Sequence, residues 1–282
     1  MTRRVAVVTD STSTLPDAIV TAREVTVVPL QVIIGSRSFG EGEGADAATV
    51  AEALRARTPV STSRPAPETF AAVYERAAAD GAEAVVSIHL SGELSGTYES
   101  AQVAARTATI PVETVDTRQL GMGIGYAVVS ALDALDAGAG ATEAAEAARR
   151  RAAATTALFY VDTLDHLRRG GRIGAAAKLV GSAFAVKPLL RIDDGCIVGL
   201  EKVRTAARAV SRLEDLAVET AGSAAVDLAV AHLANTDRAA HLAERLRERV
   251  PGMQEMVVGE VGAVIGAHVG PGMLAVVVAP RR

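Results

Sequence analysis

Short β-branched runs alternate with Ala-rich amphipathic stretches through the first half of the chain, the pattern of βαβ units that assemble a parallel sheet. Arg4 to Thr9 reads as a strand, and Ser11 to Val20 as a hydroxyl-capped helical turn with Pro16 near its start. Val25 to Ile34 is a second apolar run. Asp46 predicts the N-cap of a helix that reaches about Arg57 and stops before Pro59. From Pro67, apolar residues recur at helical spacing (Phe70, Val73, Tyr74, Ala77) until Gly81 ends the pattern. Ala84 to His89 predicts a strand, Leu90 to Leu94 a loop, and Ser95 or Gly96 the start of a helix. A strand at Val112 to Asp116 and helices at Leu120 to Asp136 and Thr142 to Ala153 complete the half.

The second half changes character. A strand at Ala157 to Val161 leads into two short helical segments separated by Gly170-Gly171. Pro188 to Ile192 and Cys196 to Val203 flank Asp193-Asp194-Gly195, and Asp-Gly supplies the positive φ angles of a tight hairpin. Helices at Thr205 to Thr220 and Asp237 to Arg249 alternate with strands at Val226 to His232, Met253 to Val258 and Met273 to Val278. The expectation is an α/β protein of two domains: residues 1–158 with a mostly parallel βαβ sheet, and residues 159–282 with a mixed sheet. The boundary falls near Thr155 to Asp162, and a chain of 282 residues favours two domains over one core.

Composition narrows the functional classes. The net charge of −4, with both signs interspersed, gives no basis for a nucleic-acid partner. The Arg149-Arg150-Arg151 cluster reads as the solvated end of a helix. Cys196 is the only cysteine, which excludes an internal disulfide and a multi-cysteine zinc site and fits a buried small hydrophobe. No stretch reaches the roughly 18 to 20 apolar residues of a membrane span, and the N-terminal hydrophobic run is too short for a signal peptide. A soluble cytoplasmic protein without metal or cofactor is expected.

Three segments carry candidate chemistry. Ser91-Gly92-Glu93-Leu94-Ser95-Gly96 connects a strand to a helix, where α/β sheets bind ligands and helix N–H groups face anions; simple N-capping by Ser95 is the plain alternative. Ser61-Thr62-Ser63-Arg64-Pro65 places three hydroxyls before another helix, and two such hydroxyl-rich entrances in neighbouring βα connections can meet over one anion; a capped turn is again the plain alternative. Gly266-Ala267-His268-Val269-Gly270-Pro271-Gly272 reads as a glycine-rich turn that leaves the imidazole at the surface or over a cleft.

With Val8-Thr9-Asp10-Ser11-Thr12, Leu94-Ser95-Gly96-Thr97-Tyr98 and Leu167-Arg168-Arg169-Gly170-Gly171-Arg172-Ile173, these segments, in order, make the sequence resemble the DegV family over almost the whole chain. The resemblance implies a long-chain fatty acid held between two α/β domains by a non-catalytic subunit of a bacterial fatty acid kinase, which serves phospholipid precursor metabolism. It further implies that Thr62 and Ser95 bind the carboxylate, that His268 completes the network with help from Ser63, Ser91 and Gly96, and that Arg169 and Arg172 meet the partner kinase. Thr117-Arg118-Gln119-Leu120-Gly121-Met122-Gly123 departs from the serine-rich stretch that the family would place there.

Neutral hydroxyls and an imidazole can hydrogen-bond a carboxylate and leave it reactive, whereas a buried arginine would clamp it as an ion pair. Few aromatics, 3% of the chain, and plentiful Ala, Val, Leu and Ile suit a slender channel. Phe159, Ile173, Leu179, Phe184 and Ile265 are candidate lining, with ordinary core as the alternative for each.

Two rival readings are a serine hydrolase, with Ser95, His268 and Asp10 or Asp116, and a lipid sensor or transport protein with no kinase partner. The hydrolase lacks the G-x-S-x-G elbow. Gly121-Met122-Gly123-Ile124-Gly125 misses the dinucleotide spacing, and neither a Walker A nor an H-E-x-x-H sequence is present.

Overall fold

The computed structural model describes residues 4–179 and 187–281, and of Lys178 and Leu179 only the backbone. In chain order the elements are β1 (Val5–Asp10), α1 (Asp17–Ala22), β2 (Val25–Val28), β3 (Gln31–Ile34), β4 (Arg37–Gly40), α2 (Ala47–Arg55), β5 (Val60–Ser63) and α3 (Pro67–Ala79). There follow β6 (Ala84–His89), α4 (Thr97–Ala105), β7 (Val112–Asp116), α5 (Met122–Asp136), α6 (Ala141–Ala154), β8 (Thr156–Tyr160) and α7 (Asp165–Arg169). Then come β9 (Lys187–Asp193), β10 (Cys196–Val203), α8 (Ala206–Ala221), β11 (Val226–His232), α9 (Thr236–Arg249), β12 (Met253–Glu260), α10 (Ala263–Val269) and β13 (Leu274–Pro280). Phe184 and the Leu179 side chain, two of the candidate lining groups, lie outside the described residues.

The chain divides into two compact units, Met1–Gln31 with Ser63–Ala153, and Val32–Thr62 with Ala154–Arg282. The first holds a parallel four-stranded sheet in the order β2-β1-β6-β7. Side-chain alternation along β1 sends Val7 to a core shared with α5 and α6, and Val8 to one shared with Phe70 and Tyr74 of α3 and Ala101 of α4. Both faces of the sheet are therefore covered, as parallel sheets require.

The second unit holds a six-stranded mixed sheet in the order β10-β9-β8-β13-β11-β12, in which only β11 and β12 run parallel. The β9–β10 hairpin turns at Asp194 and Gly195, φ 48° and 80°, as the Asp-Gly signal predicts. One face of the sheet packs Leu158, Leu228 and Val276 against Leu213 of α8 and Leu246 of α9.

Residues 32–62, which a partition at 158/159 would assign to the first domain, belong to the second unit. Their strands form a separate sheet, β4-β3-β5, and α2 packs against α10. Ser61-Thr62-Ser63, expected as a hydroxyl-rich helix entrance with a capped turn as the alternative, is the end of β5. Of the Gly266 segment, Gly270-Pro271-Gly272 is a turn as expected, with φ 74° and 92° at its glycines, whereas Gly266 to Val269 is the last part of α10. Glycine is useful there because a Cβ on Gly266 would lie 3.2 Å from Leu233 Cδ2, so the bare backbone lets the helix sit flush. Glu41 accepts the Val264 N–H at 2.7 Å and supplies the missing cap. Cys196 is half-buried rather than buried. Among the described residues no helix is long and apolar enough to cross a membrane.

Leu213→Ala is expected to lose about 2 to 5 kcal/mol in urea unfolding, because the side chain is fully enclosed. Val103→Ala, at a position 42% exposed, is expected to stay within about 0.5 kcal/mol.

Candidate functional site

In the second unit, β5 and α10 bring together two residues 206 positions apart. Thr62 Oγ1 and His268 Nε2 lie 2.8 Å from each other. Alternation along β5 leaves Ser61 and Ser63 exposed and half-buries Thr62, while the last turn of α10 carries His268. Burial, and then the positive charge of Arg172, push the His268 imidazole down to about 4, so the ring is neutral at physiological pH. The Thr62 contact is therefore an uncharged hydrogen bond, and among the described residues His268 Nδ1 is buried without a hydrogen-bond partner.

Arg172 hydrogen-bonds the Gly170 carbonyl at 2.6 Å and is half-buried. Arg169 is exposed, with its guanidinium against the Asp165 carbonyl and His166 Nδ1 at 3.3 and 3.4 Å. The two arginines expected to act together thus differ: one biases His268, the other is held on the outer side of α7.

In the first unit, the sheet order reverses between β1 and β6, and the crevice at the carboxyl ends of such strands is where doubly wound folds bind ligands. Ser95 is half-buried, and its hydroxyl pairs with Thr97 Oγ1 at 2.9 Å. It is not the N-cap of α4; Gly96 occupies that position and gives its carbonyl to Arg64 at 3.2 Å. Ser91 is fully buried and its hydroxyl accepts the Glu93 N–H. Ser63 is exposed, with its hydroxyl on the Arg64 carbonyl.

Behind this loop runs a polar line that sequence reasoning missed. Asp10 Oδ2 accepts from His89 Nδ1 at 3.0 Å and from the Leu90 N–H at 3.0 Å, while Oδ1 accepts from Thr12 N and Oγ1. His89 Nε2 meets Ser87 Oγ at 2.7 Å, and Tyr74 OH donates to Ser87 Oγ at 2.8 Å. Asp10, His89, Ser87 and Tyr74 have no exposed surface. Burial pushes the Tyr74 phenol up to about 12, which keeps it a proton donor. The available signal was Ser87 and His89 at i and i+2 of an otherwise apolar strand, on one face.

The Thr117 segment, which departs from the family pattern, supports the same loop: Thr117 Oγ1 donates to the His89 carbonyl at 2.7 Å, and the Gln119 carbonyl accepts the Ser91 N–H at 3.0 Å. Among the described residues, no group of three or more His, Cys, Asp or Glu side chains is placed to hold a metal. Elsewhere in the second unit, an open cleft of about 690 Å³ is lined by Arg55, Asp162, Asn235, Asp237 and Arg238, and none of the expected site residues borders it.

A family model described as "Uncharacterised protein, DegV family" matches residues 4–281. The chain belongs to the DegV family. A DegV domain-containing protein of Streptomyces coelicolor is 55% identical over 281 residues, covering all of both chains, and one of Mycobacterium tuberculosis is 34% identical over 97% of this chain and 96% of its own. Among solved structures, a DegV-family protein from Thermus thermophilus, described by its fatty acid binding, superposes with a TM-score of 0.92 at 32% identity, covering 99% of this chain and 100% of its own. DegV of Bacillus subtilis, described as a fatty acid binding protein, gives 0.90 at 32%, covering 98% and 99%. The two-unit α/β architecture is that of these DegV structures.

The His268 geometry makes a pH prediction. The unfolded imidazole takes up its proton as pH falls through about 6.5, whereas the folded one waits until about 4. Between those values the unfolded state binds more protons, so stability falls with pH, by roughly 3 kcal/mol at full development. His268→Asn should remove this part of the pH–stability profile while leaving that from the other histidines, as urea unfolding at pH 7 and pH 4.5 would measure.

Proposed function

We propose that this protein binds a long-chain fatty acid, hydrogen-bonds its carboxylate through Thr62, Ser95 and His268, and presents it to a separate ATP-dependent kinase in the cytoplasm. The observation that carries the reading is the Thr62–His268 pair: two neutral, half-buried polar groups in direct contact, in a chain whose relatives include proteins described as binding fatty acids. Uncharged partners orient a carboxylate without neutralising it, so an oxygen remains free to attack the γ-phosphorus of ATP and release ADP. The acyl chain supplies the affinity, at about 0.8 kcal/mol per buried CH₂. Ser63, Ser91 and Gly96 have supporting parts: Ser91 shapes the loop, and Gly96 leaves room for Arg64. Arg169 offers its exposed charge to the kinase, with Arg172 behind it.

Hydrolysis by Ser95 with His268 has no comparable support. Each already has a threonine partner, and the Ser–His–Asp line present, Ser87–His89–Asp10, is enclosed with Tyr74 on the serine oxygen.

Mass spectrometry of an organic extract of the natively purified protein should give a stoichiometric long-chain fatty acid, depleted in Thr62→Ala/Ser95→Ala with little change in melting temperature. A lipid-free wild type that also refuses added fatty acid would refute the binding reading. With lipid bound, ATP should yield acyl phosphate only when a fatty acid kinase subunit is added; no product with that subunit would leave a lipid carrier or sensor without the kinase role.

A further inference from the structure

His268 and His166 are placed reciprocally. His268, in the last turn of α10, lies with its ring on Gly170, the residue that closes α7: a Cβ there would fall 2.8 Å from His268 Cε1 and closer still to Nδ1. His166, on α7, lies with its ring on Gly270, the residue that closes α10: a Cβ there would fall 2.7 Å from His166 Nε2 and closer still to Cδ2. Each helix thus seats its histidine on the glycine of the other.

Gly270 has φ 74° and needs to be glycine for its backbone as well. Gly170 does not. Its φ and ψ of −75° and −7° are open to any L-residue, so the backbone gives no reason for glycine, whereas the His268 ring does. Among the described residues the ring has few other constraints: Nε2 bonds Thr62, and Nδ1 has no hydrogen-bond partner.

We propose that Gly170 and His166 are positioning residues for His268: the reciprocal histidine-on-glycine packing fixes the imidazole so that Nε2 meets Thr62, and ties the arginine-bearing α7 segment to that pair. Its consequence for ligand retention rests on the fatty-acid reading; the packing itself does not. Because Arg172 bonds the Gly170 carbonyl, a shift of His268 and a shift of Arg172 share one hinge point.

The test is nitrogen-15 NMR of the histidine rings in the full-length, delipidated protein, followed by oleate binding. Thr62→Val marks the signal of a His268 Nε2 that has lost its hydrogen bond. Gly170→Ala should move the same nitrogen the same way, leave His89 unmoved, and weaken oleate binding about fivefold or more, the worth of one hydrogen bond. Adding His268→Ala to Gly170→Ala should recover melting temperature, since the methyl then has room. A merely structural glycine would lower the melting temperature without moving the Nε2 signal, and that result overturns the proposal. If Gly170→Ala does not fold, His166→Ala decides: a shifted Nε2 signal supports the packing, an unshifted one overturns it. A shifted signal with unchanged oleate affinity overturns the role in ligand holding. A wild type that binds no oleate sinks the fatty-acid reading and leaves the ring measurement to judge the packing.

Discussion

Keeping an imidazole neutral in a half-buried site is the constraint on which the second unit's polar centre depends. Desolvation is the larger cause, and Arg172, which also hydrogen-bonds the Gly170 carbonyl, adds a repulsive positive charge. Enclosing the ring so closely demands a small neighbour. Gly170 meets that demand against the ring itself, Gly266 lets the helix that carries His268 approach Leu233, Gly270 leaves room for His166, and Glu41 stabilises that short helix from its other end. The glycines of the family motifs are therefore part of the chemistry of His268 and not only turn formers.

The first unit solves a different problem. A carboxylate with no exposed surface, Asp10, is tolerable only because four donors converge on it: Thr12 N and Oγ1, the Leu90 N–H and His89 Nδ1. Those bonds join the ends of β1 and β6 at the point where the sheet order reverses, and the Ser91–Gly96 loop leaves from that joint. The contacts run in one line from Tyr74 through Ser87 and His89 to Asp10. It resembles a hydrolase relay in composition, but its serine oxygen is consumed internally. Its work is to hold a loop.

Most of the fold was legible in the sequence because most of it follows from local periodicity. The boundaries of β6 and β7, the Asp46 cap, Pro67 at the first turn of α3 and the Asp194-Gly195 hairpin all depend on neighbours within a few residues. What was not legible depends on distant partners. The α10 helix looks like a glycine-rich turn until Leu233 explains Gly266, and β5 looks like a capped turn until β3 pairs with it. The membership of residues 32–62 in the second unit is likewise a matter of packing between α2 and α10. For the site, motif resemblance singled out Thr62 and His268, and the structure brings them into contact. The Asp10–His89 line escaped because Ser87 and His89, although on one face of β6, point to no partner until the neighbouring β1 is known to bring Asp10 beside them.

The charge around His268 bears on how a carboxylate would be held in the proposed reading. An anion beside an imidazole favours the protonated ring, which would convert a hydrogen bond into an ion pair and tighten the grip on the head group. Arg172 opposes that protonation, and the buried setting opposes it further. The arriving anion is then met by a neutral ring and by the field of a nearby guanidinium, so attraction does not depend on protonating the ring. For a ligand whose tail supplies most of the binding energy, such a head-group site gives orientation at little cost in reactivity. Replacing Arg172 by a neutral residue would let His268 accept a proton more readily, and the same anion would become better bound and a poorer nucleophile.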